Sequence, residues 1–162
     1  IMRALFFTLT LLSSACITST GYAQTVANNF PAWPSGHSSV LKGEQALTLG
    51  RQCSRPSVPG VDSSWTPSPH IILKLELKLN EYLSKHYPKI RQQIQQVYFQ
   101  YAGLKGNKRK IVYINAIDQH AQNNPDWRQN ALVICDGGEV FWGAEYDPAT
   151  ERFSPIHFNG SP

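Results

Sequence analysis

The chain has 162 residues, the length of one domain rather than two. Lys and Arg number 15 against 11 Asp and Glu, a net charge of +4, and 41% of residues are hydrophobic. That composition supports a buried core and excludes a disordered chain. The Gly and Pro residues follow no period, which excludes a fibrous repeat, and the basic excess falls short of a dedicated nucleic-acid-binding domain.

The first residues have the anatomy of export. Arg3 gives a short positive start, residues 4–12 are a compact apolar run, and Gly21-Tyr22-Ala23 reads as a small-x-small cleavage site. These features predict a secretory signal peptide over residues 1–23, with Gln24 opening the mature chain. The apolar run is too short to span a bilayer, and no second long one follows. The processed chain is therefore expected in the periplasm or outside the cell, without a transmembrane segment. Cys16 offers a lipid anchor as the weaker alternative, because Ser13 stands where such sites favour Leu or another aliphatic residue.

Removing Cys16 with the leader leaves Cys53 and Cys135, an even pair in an oxidising compartment with no Cys-x-x-Cys pattern. A disulfide between them is the expectation. It would close a loop of 82 residues, worth about 4.5 kcal/mol in the chain-entropy model.

Residues 24–66 carry little periodicity and are punctuated by Pro31, Pro34, Gly36, Pro56, Pro59 and Gly60. They read as an irregular N-terminal arm with one short element between Glu44 and Cys53. The stretch Leu73–Asn80 alternates like a strand, but Ile71, Ile72, Leu75, Leu79, Tyr82 and Leu83 share a helical stripe. Thr66-Pro67 or Ser68-Pro69 supplies a cap followed by proline at the first helical position, and Pro88 stops the run, so the caps decide for a helix over 69–87. Glu81 and Lys85 have the spacing of a favourable helical pair.

After Pro88 the pattern turns to strands. One runs from Val97 to Gly103, and Lys105-Gly106-Asn107-Lys108 forms a turn. Arg109 to Ile117 returns with Val112, Ile114 and Ala116 on one face and Ile111, Tyr113, Asn115 and Ile117 on the other. A polar loop over 118–130 leads to Ala131–Cys135, which is apolar on both faces and reads as a central strand. Gly137-Gly138 reads as a two-residue hairpin loop, Glu139–Tyr146 as the next strand, and Asp147-Pro148 as a type I turn. The last strand, Arg152 to Phe158, contains Pro155 and belongs at a sheet edge. Residues 67–162 are thus expected to form an α+β roll, one helix packed on a five-stranded antiparallel meander.

The segment Cys135-Asp136-Gly137-Gly138, continued by Phe141-Trp142-Gly143 and Tyr146-Asp147-Pro148, resembles the C-terminal half of small exported bacterial proteins of unassigned function. The likeness covers residues 65–160 and implies no activity. The order of helix then meander is similar to cystatin-like rolls at the level of fold alone, and the Gln-x-Val-x-Gly loop of cystatins is lacking.

Several constellations could carry chemistry. Asp136 and Glu139 flank the Gly-Gly turn, where paired carboxylates could do acid–base work, although Asp at such a place commonly caps the turn itself. Asp118, His120 and His157 have the residue types of a metal site without ligand spacing, so no metal and no cofactor is expected. His86 falls near the end of the helix, where it serves the helix dipole or packs. No Gly-x-Ser-x-Gly elbow or phosphate-binding glycine pattern exists. Lys105, Lys108, Arg109 and Lys110 form one basic cluster suited to anionic polymers or lipid surfaces rather than nucleic acid. Trp33 and Trp127 lie in polar, proline-containing loops and could present rings to a partner or fold back as lids, whereas Trp142 should be core. The expectation is an exported binding module, an inhibitor or accessory subunit of an envelope or extracellular protein. Its rivals are an envelope-directed hydrolase using Asp136 or Glu139 with help from a histidine, and a binder of anionic polymers or lipids.

Overall fold

The computed structural model describes residues 36–160. The segment expected to be a signal peptide, Cys16 and Trp33 lie outside them. The described residues form an α+β fold with seven strands in one mixed sheet and three helices. No helix among them is long and apolar enough to cross a membrane.

The strands are β1 (Ser38–Leu41), β2 (Ser63–Trp65), β3 (Val97–Gly106), β4 (Arg109–Asp118), β5 (Trp142–Asp147), β6 (Arg152–Phe153) and β7 (His157–Phe158). β3 and β4 pair along their whole length, from Val97 opposite Asp118 to Gly106 opposite Arg109. β5 adds to β4 antiparallel, while β6 and β7 pair in turn with β5. On the other side of β3, β1 lies parallel and β2 antiparallel. The sheet is therefore mixed and larger than a five-stranded antiparallel meander, because part of the supposed arm joins it. β1, β2 and helix α1 (Gly43–Leu49) all come from residues before 67.

Helix α2 (Pro69–His86) is close to the span read from the caps. The Ser68 hydroxyl accepts from the Ile71 amide and Pro69 occupies the first turn. Its stripe of Leu75, Leu79 and Leu83 packs on Phe99, Tyr101, Val112, Ile114, Trp142 and Tyr146 to make the main core. Glu81 pairs with Lys78 at 3.2 Å rather than forward along the helix. Pro88 ends α2 and opens a short helix, α3 (Pro88–Gln93). The opposite sheet face is covered by α1: Leu41, Ala46 and Leu49 meet Ala102, Leu104, Ile111 and Tyr113. The two faces of β4 divide as its alternation predicts.

Three expectations need correction. Residues 131–135 form no strand; β5 occupies the flank of β4, with Val112 opposite Tyr146 and Ala116 opposite Trp142. This apolar stretch instead crosses the second sheet face, where Ala131 packs against the α1 core. With no strand before it, Gly137-Gly138 is no hairpin loop. Both glycines do have positive φ, 99° and 64°, but they lead into a short 3-10 turn over Gly138–Val140, so β5 starts only at Trp142. A side chain on Gly137 would meet the Phe141 ring at 2.4 Å. The last strand is two short ones, β6 and β7, separated by Pro155; both stay at the edge because proline gives the ladder no donor.

Candidate functional site

With residues 131–135 out of the sheet, no paired strands set Asp136 opposite Glu139. The two exposed carboxylates go separate ways. Asp136 stays by the C-terminal turn, where its carbonyl accepts from Asn159 Nδ2 at 2.9 Å. Glu139 stands on the rim of a cleft of about 510 Å³, a size that suits small ligands or a short peptide segment.

The cleft exists because Pro88 breaks the helical run. Tyr87 takes φ −139° and ψ 59°, so α2 and α3 meet at a corner. Tyr87, Ile90 and Phe158 line it from the helices and β7, and Val140 from the 3-10 turn. The Tyr87 hydroxyl accepts from the Ile156 amide at 3.3 Å, which ties the corner to the sheet edge. Val140 is 48% exposed, although it alternates with the buried Trp142. The rim is charged on both sides, Lys89 on the helical wall, beside His86, and Glu139 on the turn. A narrower notch shares Ile90, Gln93, Glu139 and Val140 and continues toward Asp118 and Trp142 at the open end of the β3–β4 pair.

Behind the cleft sits an aromatic group. The Tyr82 ring lies 4.9 Å from Phe153, 5.0 Å from His86 and 5.7 Å from Tyr87. Its hydroxyl donates to the Ser154 carbonyl at 3.0 Å. Burial, with Tyr87 adding to it, pushes the Tyr82 phenol up to about 12. The stacked rings pack the corner, and the Tyr82 phenol stays protonated near neutral pH.

The other sequence candidates disperse. His120 Nε2 is 3.8 Å from Asp118 Oδ1, but the histidine side chain is 81% exposed, and His157 is exposed on β7. Among the described residues no group of three or more His, Cys, Asp or Glu side chains could hold a metal ion. Trp127 is 1% exposed, so it serves as core rather than as a presented ring. It packs edge-on to Tyr98, with Arg128 over its own face at 4.5 Å. Trp142 is core, as expected. Lys105, Lys108, Arg109 and Lys110 are all exposed at the β3–β4 turn. Cys53 and Cys135 stand at disulfide distance, their Cα atoms 5.2 Å apart.

One polar cluster escapes the sequence reading. On the second sheet face Gln100 and Asn115 are cross-strand partners, both buried, and Asn115 Nδ2 donates to Gln100 Oε1 at 3.1 Å. Asn115 also donates to the Leu132 carbonyl at 3.0 Å, and Gln100 accepts from the Leu132 amide at 2.9 Å. Arg55, 7% exposed, donates to Tyr113 Oη at 3.0 Å and to Asn115 Oδ1. Burial lowers the Arg55 pKa, which the Tyr113 hydroxyl opposes. The cluster does the work of a strand partner at Leu132, bonding both its amide and its carbonyl in place of a ladder. Asn115 on an apolar strand face, and Gln100 in an apolar strand, were the readable signals.

The cleft residues Ile90, Val140 and Phe158 were also missed. They are separated in sequence and meet only because the helical corner, the turn and the edge strand converge. Comparison with family models, curated proteins and solved structures gave no match.

Proposed function

We propose that this chain is an exported binding module, an inhibitor or accessory subunit that docks a segment of an envelope or extracellular protein into the α2–α3 corner cleft. The observation that carries the reading is the cleft itself: an apolar floor of Tyr87, Ile90 and Phe158, a half-exposed Val140, and charges of both signs on the rim. An apolar anchor with polar neighbours is the chemistry that centres a protein interface. Export is supported by the sequence of residues 1–23 and is in keeping with a cysteine pair at disulfide distance. The resemblance of residues 65–160 to small exported bacterial proteins points the same way. Hydrolysis by Asp136 or Glu139 with a histidine is the second reading: Glu139 and His86 line the cleft, and Asp136 does not.

The test is comparative capture from envelope extract of the producing organism. Immobilised wild type is expected to retain a stoichiometric protein through a high-salt wash. Val140→Asp is expected to retain it at least about tenfold less, the loss that a charge buried in an interface core brings, with an unchanged melting temperature because the residue is exposed in the free protein. Equal recovery by both proteins, or no stoichiometric partner at all, refutes the docking site.

A further inference from the structure

The β3–β4 turn presents positive charge in an arrangement that the fold alone does not explain. Lys105 and Lys110 stand directly opposite each other in the ladder, where like charges about 5 Å apart at Cβ are destabilising. Both alternate onto the α2 face, with Tyr101 and Val112. Arg109 alternates onto the other face and is neutralised by Glu145 at 2.6 Å. Among the described residues neither Lys105, Lys108 nor Lys110 has a carboxylate within ion-pair distance. Lys110 rests its ammonium on the Trp65 ring instead, 3.9 Å from the centroid.

The platform beneath these lysines is fixed. Asn107 and Lys108 turn the chain with φ 49° and 61°, the tight geometry that suits a twisted hairpin. Trp65 Nε1 donates to the Leu104 and Ile111 carbonyls at 3.3 and 3.1 Å, pinning the indole across both strands. Gly60 backs the turn so closely that a Cβ on Gly106 would lie 1.7 Å from the Gly60 carbonyl oxygen. A lysine-rich tip of this kind loses little conformational freedom when a ligand arrives.

We propose that Lys105, Lys108 and Lys110, with the half-buried Trp65 ring, form a binding surface for an acidic polysaccharide. A chain of anionic groups turns the Lys105–Lys110 repulsion into shared attraction, and the Trp65 ring, with the Lys110 ammonium resting on its face, holds that charge in place for the ligand. A lipid surface fits less well. The tip reads Lys-Gly-Asn-Lys and has no apolar side chain to enter a bilayer, and the large exposed hydrophobics, Leu73 and Val140, belong to other elements. This surface is independent of the corner cleft.

The experiment measures binding of the full processed chain to immobilised heparin, a sulfated polysaccharide, over a range of salt. Wild type is expected to bind at low salt and to weaken steeply as salt rises. Lys105→Gln/Lys108→Gln/Lys110→Gln should weaken binding at least about tenfold, consistent with roughly 1.4 kcal/mol or more. Its melting temperature should be unchanged or higher. The matching triple arginine variant should bind like wild type, and Val140→Asp should too, which separates this surface from the cleft. Equal binding by wild type and the glutamine variant overturns the proposal. So does binding to phosphatidylglycerol vesicles with no binding to heparin.

Discussion

Glu76 is the residue whose charge sits least comfortably. It lies between α2 and the sheet, accepting a hydrogen bond from the fully buried Tyr101 hydroxyl at 3.2 Å. Burial raises its pKa above the ordinary glutamate value, and the bonds from Tyr101 and Ser38 offset that only in part. A carboxyl with a raised folded pKa adds stability below its unfolded pKa and loses it as pH rises through the folded value. Glu76→Gln keeps an acceptor for Tyr101 and removes the charge. It is expected to raise the melting temperature at neutral pH by a few degrees, with the gap closing in titration toward acid; a gap independent of pH would refute this. Asn115 is the reverse case, a polar residue the fold requires. Asn115→Ala strands Arg55, Gln100 and the Leu132 carbonyl together, and should cost about 2–4 kcal/mol in denaturant unfolding. A loss below about 1 kcal/mol would mean that water replaces the amide. Alternation along β4 already placed Asn115 among apolar neighbours, but its partners come from residues 15 to 60 positions away and no local pattern names them.

Elements bounded by local chemistry were legible. Ser68-Pro69 and Pro88 set the ends of α2, and the turn glycine and asparagine set the β3–β4 hairpin, since caps and turn residues act within a few positions. Residues 131–135 were not legible, because an apolar run describes burial and not the route to it. A strand buried on both sides and a covering strap produce the same letters. What separates them is whether another segment holds the flank of β4, and β5 does. The arm was misjudged for a related reason. β1 is four residues and β2 three, too short for periodicity to register, and each takes its ladder bonds from β3. The cleft follows from three such elements meeting, so of its lining residues only Glu139 and His86 had been weighed for a chemical role in the sequence.

At the scale of the whole molecule, the two sheet faces are closed by different means. A long helix with a leucine stripe covers one; a short helix and an irregular strap cover the other. The second covering is the weaker, and Cys53 and Cys135 clip together its loops across 82 residues. Cys53→Ser/Cys135→Ser is therefore expected to cost about 2–5 kcal/mol, lowering the melting temperature of the oxidised protein by about 10 °C. A variant that melts with wild type would show that Asn115 and Gln100 suffice to hold the strap. The β3–β4 pair has a further consequence. Ten residues of strand extend about 30 Å, with the lysine tip at one end and the notch that continues the cleft, at Val97, Asp118 and Trp142, beside the other. Were both proposed surfaces occupied, a spacer of that length would keep a polymer and a protein from crowding each other. Tethering of this kind raises the local concentration of each for the other, so the chain would act as an adaptor that recruits its partner to a coated surface.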